Sequence, residues 1–162
     1  MNILSLCDQA LVAWLISKGA GTDTDTWPAK NSEVKTLPET ICFCHTFEEV
    51  TPYSNNYDVQ AFVEVRVDGV MGEFDSNTDP RQKADERVKS VFRCFVTASG
   101  DSSGEKLGEE ITEAAGLSDF TILNCRIIGG NQGFNPKTQR DRGNAWIDVI
   151  HLELTVCPAD VL

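Results

Sequence analysis

The chain has 162 residues, the size of one ordinary domain, and 41% of them are apolar, which is enough for a packed core and too many for a disordered protein. Its formal net charge is −11, which repels the phosphate backbone and excludes a protein that grips duplex DNA. The same charge suits a surface past which a polyanion slides without sticking.

The opening MNILSLCDQALVAWLISKG sets Ile3, Leu6, Cys7, Ala10, Leu11, Trp14 and Leu15 at three- and four-residue spacing. That spacing predicts a helix over 2–18, stopped by Gly19 and Gly21. Asp8 and Gln9 interrupt the apolar run, and no basic residue precedes Lys18, whereas a signal peptide carries its positive charge first. No stretch is long enough to span a bilayer, so a protein kept in the cytoplasm with no membrane partner is expected. The polar connector TDTDTWPAKNSE follows. Its Asp–Thr alternation lacks the ligand number and glycine turn of a calcium loop.

ICFCHTFEEV, 41–50, reads as a strand, and YDVQAFVEVRVDG, 57–69, is clearer still. There Val59, Ala61, Val63, Val65 and Val67 alternate with Gln60, Phe62, Glu64, Arg66 and Asp68, as a half-buried strand requires. PYSNN supplies the turn between them. A helix then opens with Thr78 or Asp79 as cap and Pro80 in its first turn. Its apolar stripe is Ala84, Val88, Val91, Phe92 and Phe95. A short helix is expected over 105–116, with Leu107, Ile111 and Ala115 inward and Gly116 at its end. FTILNCRIIGG and NAWIDVIHLELTVCP close the chain as strands. In the latter Ile150, Leu152, Leu154 and Val156 face one way and His151, Glu153 and Thr155 the other. The expected fold is a single α+β domain: a mixed, mainly antiparallel sheet of about four strands with helices packed on one face.

Between the last two strands stands GGNQGFNPKTQRDRG, residues 129–143, far longer than a hairpin turn needs. Its glycines lack the strand–glycines–helix order of a phosphate or dinucleotide loop, because a strand follows. It reads as a hairpin arm for protein contact. Asn131, Gln132, Phe134, Asn135, Lys137, Gln139, Arg140 and Arg142 are its candidate contact residues, with the three basic ones suited to an acidic neighbouring copy.

Other motifs carry less. GDSSG, 100–104, resembles the nucleophile motif of trypsin-like serine proteases, but that motif belongs to a chain of two β-barrels, and no histidine here is flanked by a signature. CFCH, 42–45, has cysteines on one strand face and His45 on the other, without the spacing of a zinc site. The six cysteines, Cys7, Cys42, Cys44, Cys94, Cys125 and Cys157, all lie in apolar periodic segments and read as buried free thiols. No catalytic residue, cofactor or metal site is assigned. A small cytosolic enzyme using His45 or Cys94 in a cleft, or a monomeric protein-binding module, are the alternatives to a structural role.

The element order as a whole — ALVAWLISKG, the strand pair ICFCHTFEEV and YDVQAFVEVRVDG, the helix RQKADERVKSVFRCF and a closing hairpin that ends IDVIHLELTVCPADV — resembles the small head–tail joining proteins of tailed bacteriophages, especially tail terminators. The resemblance covers nearly the whole chain and rests on order and patterning. It implies a non-enzymatic virion protein, made in the host cytoplasm, that forms a homohexameric ring. Such a ring caps the tail tube, contacts the tube protein and the head connector or neck protein, and passes DNA through its lumen without sequence-specific binding. It also implies that residues 129–143 form an intersubunit or tube-docking arm.

Overall fold

Alternating apolar side chains need a covering layer, and the computed structural model supplies one with three helices. It describes residues 3–20, 26–27, 40–68, 80–97, 104–135 and 145–158. The helices are α1 (Ile3–Ser17), α2 (Pro80–Thr97) and α3 (Glu105–Ala115). The strands are β1 (Thr26–Trp27), β2 (Thr40–Glu49), β3 (Tyr57–Asp68), β4 (Phe120–Asn135) and β5 (Ala145–Pro158). The sheet order is β1-β2-β3-β5-β4. The four long strands pair antiparallel, and the two-residue β1 pairs parallel with Thr40 and Ile41. The expected α+β class and one-sided helix layer therefore hold, and β1, inside the polar connector, is an addition to them.

One parity of each strand forms the core. Cys42 and Cys44, then Val59, Ala61, Val63 and Val65, and Ile150, Leu152, Leu154 and Val156 are all buried, as the alternation predicts. Each large apolar side chain sequestered this way contributes on the order of 1.5–3 kcal/mol relative to exposure. Helix α1 sits centrally in the helical layer, touching β2 and α3, while Trp14 meets Phe95 of α2 at 4.8 Å between ring centroids. That position explains why Val12, outside the stripe read from the sequence, is buried too. The helix ends as its glycine dictates. Gly19 adopts φ 73°, and the Ala20 N–H reaches back to the Leu15 carbonyl at 2.9 Å. Helix α2 contributes buried Val91 and Phe95, and α3 contributes Leu107 and Ile111. The cap residues expected for α2, Thr78 and Asp79, lie outside the described residues.

Helix α3 is welded to the outer strand β4. A Cβ on Gly108 would stand 2.5 Å from the Ile122 carbonyl oxygen, so only glycine permits this approach. Thr112 uses the space: its hydroxyl accepts the Ile122 N–H at 2.9 Å and donates to the Gly108 carbonyl at 2.8 Å. The Cys125 N–H donates to the Gly104 carbonyl at 3.1 Å. The start of the exposed sheet edge is thus covered by a helix, one way in which edge strands are kept from unwanted pairing.

The second half of β4 runs into residues 129–143: beyond the expected strand FTILNCRIIGG, residues 131–135 are strand as well. Gly129 to Asn135 pair in register with His151 to Ala145 of β5. Bulges at Leu123 and Ile128 shift the alternation twice on the way, which hides the strand from periodicity. Of the arm residues, Asn131, Gln132, Phe134 and Asn135 are ladder positions opposite Val149, Asp148, Trp146 and Ala145. Lys137, Gln139, Arg140 and Arg142 lie outside the described residues.

Candidate functional site

The sheet face opposite the helices is uncovered among the described residues, and its side chains lie in rows set by the strand register. One row runs Phe43, Phe62, His151, and a second runs Thr46, Gln60, Glu153, Arg126. Phe43 and Phe62 stack at 5.4 Å, with the His45 ring 6.1 Å from Phe62. Phe43 remains 45% exposed. In the second row the Arg126 guanidinium donates twice to Glu153 Oε1, at 2.7 and 3.1 Å, and Gln60 donates to Oε2 at 2.9 Å. These donors hold the Glu153 carboxyl below the usual range. Thr155 donates to Asp58 at 2.7 Å, and His151 Nε2 meets Asn131 Oδ1 at 2.9 Å. The face is therefore a pre-ordered polar net flanked by an aromatic patch, a composition that suits protein contact.

A second feature lies in the helical layer. Where α2 crosses β5, a cavity of about 470 Å³ opens between Asp85, Val88, Lys89 and Phe92 of the helix and Ile127, Gly129, Gly130, Asn131 and Asp148 to Ile150 of the hairpin. That volume is within the roughly 300–1,000 Å³ of ordinary binding pockets. Asp148 is only 6% exposed, although it sits at an apolar parity of β5, in register with Val65 and Gln132. Along the same row the buried Thr40 hydroxyl accepts two donors from the Arg87 guanidinium at 3.3 and 3.4 Å. Asp148 was not singled out from the sequence. The signal was present as one carboxylate breaking the even-numbered apolar series from Trp146 to Val156.

A third feature is the β2–β3 turn. Tyr53 at its tip is fully exposed and takes φ 65°, a left-handed conformation rare for a tyrosine. Its N–H donates to Glu49 Oε1 at 3.0 Å, the Val50 N–H to the Asn56 carbonyl at 2.9 Å and the Ser54 N–H to the Thr51 carbonyl at 3.0 Å. Asn55 Nδ2 anchors the turn to the Pro158 carbonyl at 2.7 Å. The turn chemistry expected of PYSNN is thus present, with an aromatic residue held outward on it.

The thiols and imidazoles considered from the sequence do not meet. Cys7, Cys42, Cys44 and Cys125 are buried under the helices. Burial pushes the Cys42 and Cys125 thiols far above their ordinary pKa, and a hydrogen bond with the Cys7 thiol does the same for Cys44. Both histidines project from the opposite sheet face. Cys157 shares that face with His151 but stands six positions along β5, about 20 Å at a strand's rise. Cys94 lies on α2 and donates to the Ser90 carbonyl at 3.3 Å. Of GDSSG only Gly104 is described, and it caps the start of α3 at φ 75°. Among the described residues no group of three or more His, Cys, Asp or Glu is placed to hold a metal ion, and no helix is long and apolar enough to cross a membrane. The chain matches no protein-family model, and no curated protein matches it significantly in sequence.

Proposed function

We propose that this chain is a structural subunit of a tailed-phage neck, of the tail-terminator kind. Copies join in a homohexameric ring that caps the tail tube and meets the head connector. The observation that carries this reading is the sheet covered on one face only among the described residues. Three helices cover one face, while the other presents an ordered polar net and the Phe43–Phe62 pair to whatever lies beside it. A sheet with apolar residues on both sides normally buries both, and exposed aromatics rimmed by polar groups mark contact surfaces. The outer half of β4, beyond the part covered by α3, adds a strand edge of the sort other chains pair with.

The charge supports the same reading. At −11 the body would line a DNA passage without gripping it. Native mass spectrometry and negative-stain microscopy of the purified chain, across a concentration series, test it. Rings of six copies are expected. A chain that stays monomeric throughout the series would overturn the proposal.

A further inference from the structure

From the fixed Tyr53 tip and the cavity beside α2 we infer that copies of this chain join head to tail, with Tyr53 of one copy seated in the Phe92–Asp148 cavity of the next. This deepens the ring reading and rests on it. A left-handed non-glycine residue is strained by its Cβ, and such strain persists only where surrounding bonds fix it. Four hydrogen bonds fix it here, and what they hold outward is a fully exposed phenol ring. Tyrosine is also a residue type enriched at interface hot spots.

The cavity has room for such a ring and a lining that suits it. Val88, Phe92 and Ile127 offer apolar walls. Asp148 offers carboxylate oxygens, which have lone pairs enough to accept a phenol O–H besides their other partners. Of the charged residues that line the cavity, Asp85 and Asp148 are acidic and Lys89 is basic, so the exposed Lys89 is the one group there that can meet Glu48 or Glu49, both exposed beside the tip. The knob cannot serve its own cavity. The tip lies beyond the Tyr57–Val156 end of the sheet, and the cavity is at Asp148 to Ile150, about 20 Å along β5. A knob and a hole at opposite ends of one chain make a heterologous contact, which closes as a ring when the rotation allows. One tyrosine buries only about 150–250 Å², against about 800 Å² per side in a standard interface. Phe47 and Val50, both about half exposed, are therefore covered in the same contact.

Three preparations test this: wild type, Tyr53→Ala and Phe92→Asp, all checked for folding by circular dichroism. Each variant alone is expected to lose association at least tenfold in sedimentation velocity. Tyr53→Phe, which keeps the ring and loses the hydroxyl, should lose less. Mixed in equal amounts, Tyr53→Ala and Phe92→Asp should form a species of twice the single-chain mass and grow no further, because one supplies the intact hole and the other the intact knob. In wild type, a carbodiimide should join Glu48 or Glu49 to Lys89 between isotopically distinct copies. Normal assembly by both variants, or cross-links that avoid Lys89 in an assembled sample, overturns this contact and leaves the ring reading standing. A wild-type chain that remains monomeric overturns both.

Discussion

Asp8 of α1 accepts the backbone N–H of Cys44 at 2.7 Å, where β2 bulges at His45. The bond satisfies a strand donor on the β1 side of β2 and ties the first helix to the sheet. Burial raises the Asp8 pKa above its ordinary value, against the opposing pull of that N–H. The folded chain thus binds the Asp8 proton more readily than the unfolded chain does. The stabilisation linked to that proton is fully present below the unfolded pKa and is lost as pH rises through the raised folded one. Asp8→Asn keeps an oxygen for Cys44 and cannot ionise. Its melting temperature at neutral pH is expected to equal or exceed that of wild type, with the advantage shrinking toward about pH 4. Asp8→Ala leaves the Cys44 N–H without its acceptor and should cost about 1–3 kcal/mol in urea titrations at neutral pH. A harmless alanine would mean that the helix–strand tie adds nothing.

The contact between α3 and β4 makes two glycines of one helix behave differently. Gly108→Ala forces a Cβ to within 2.5 Å of the Ile122 carbonyl oxygen and 2.9 Å of the Asn124 nitrogen, both backbone atoms that cannot swing aside. The helix must lift, and Thr112 loses its hold on Ile122. A loss of about 1–3 kcal/mol, typical of overpacking, is expected. Gly116→Ala meets nothing within 4 Å and carries only the cost of its φ of 64°, about 1 kcal/mol. Chemical denaturation of the two variants compares them directly, and equal losses would mean that the close approach is not what demands Gly108.

Thiol chemistry separates the six cysteines. Cys7, Cys42, Cys44 and Cys125 are buried, and the raised pKa values of the last three leave almost no thiolate at neutral pH. Cys94 and Cys157 are only partly buried, and although burial raises the Cys94 thiol as well, solvent reaches both. A colorimetric thiol reagent should therefore modify Cys94 and Cys157 in the native chain and the other four only at the rate of unfolding. Rapid reaction at Cys42 or Cys125, read by peptide mass spectrometry, would show that the helical layer opens without global unfolding.

How much of this could be read beforehand depended on whether the cause was local. Val59 to Val65 and Ile150 to Val156 announce their strands because burial on one face imposes a two-residue period, and both strands lie where that period placed them. Leu6, Leu11 and Leu15 do the same for a helix. The far half of β4 could not be recognised in this way. Gly129, Gly130 and Gly133 have little intrinsic strand preference, and the bulged Leu123 and Ile128 break the period. What makes those residues a strand is β5, whose hydrogen bonds come from residues far along the chain. The cavity was hidden for a similar reason, since Phe92 and Asp148 acquire a shared meaning only once α2 lies across β5. Tyr53 stands in a stretch that reads correctly as a turn, but composition does not reveal that its backbone is left-handed and pinned by Glu49.

The same pairing changes what should be removed to test the arm. Deleting residues 131–141 would erase Asn131 to Asn135, five ladder positions opposite Ala145 to Val149, and is expected to destabilise the monomer itself. Replacing only 136–144 by Asn-Gly joins the paired residues Asn135 and Ala145 with the two-residue turn that hairpin twist favours. That variant should melt with wild type yet assemble poorly, because Lys137, Arg140 and Arg142 go with the connector. Neutralising those three residues in the full-length chain isolates charge from length. Against an acidic neighbour, the loss of association should be large at low salt and should fade near 1 M, where the screening length falls to about 3 Å. If both variants assemble like wild type at every salt concentration, the connector is not part of the interface, and the contact must be made by the sheet face and the Tyr53 tip.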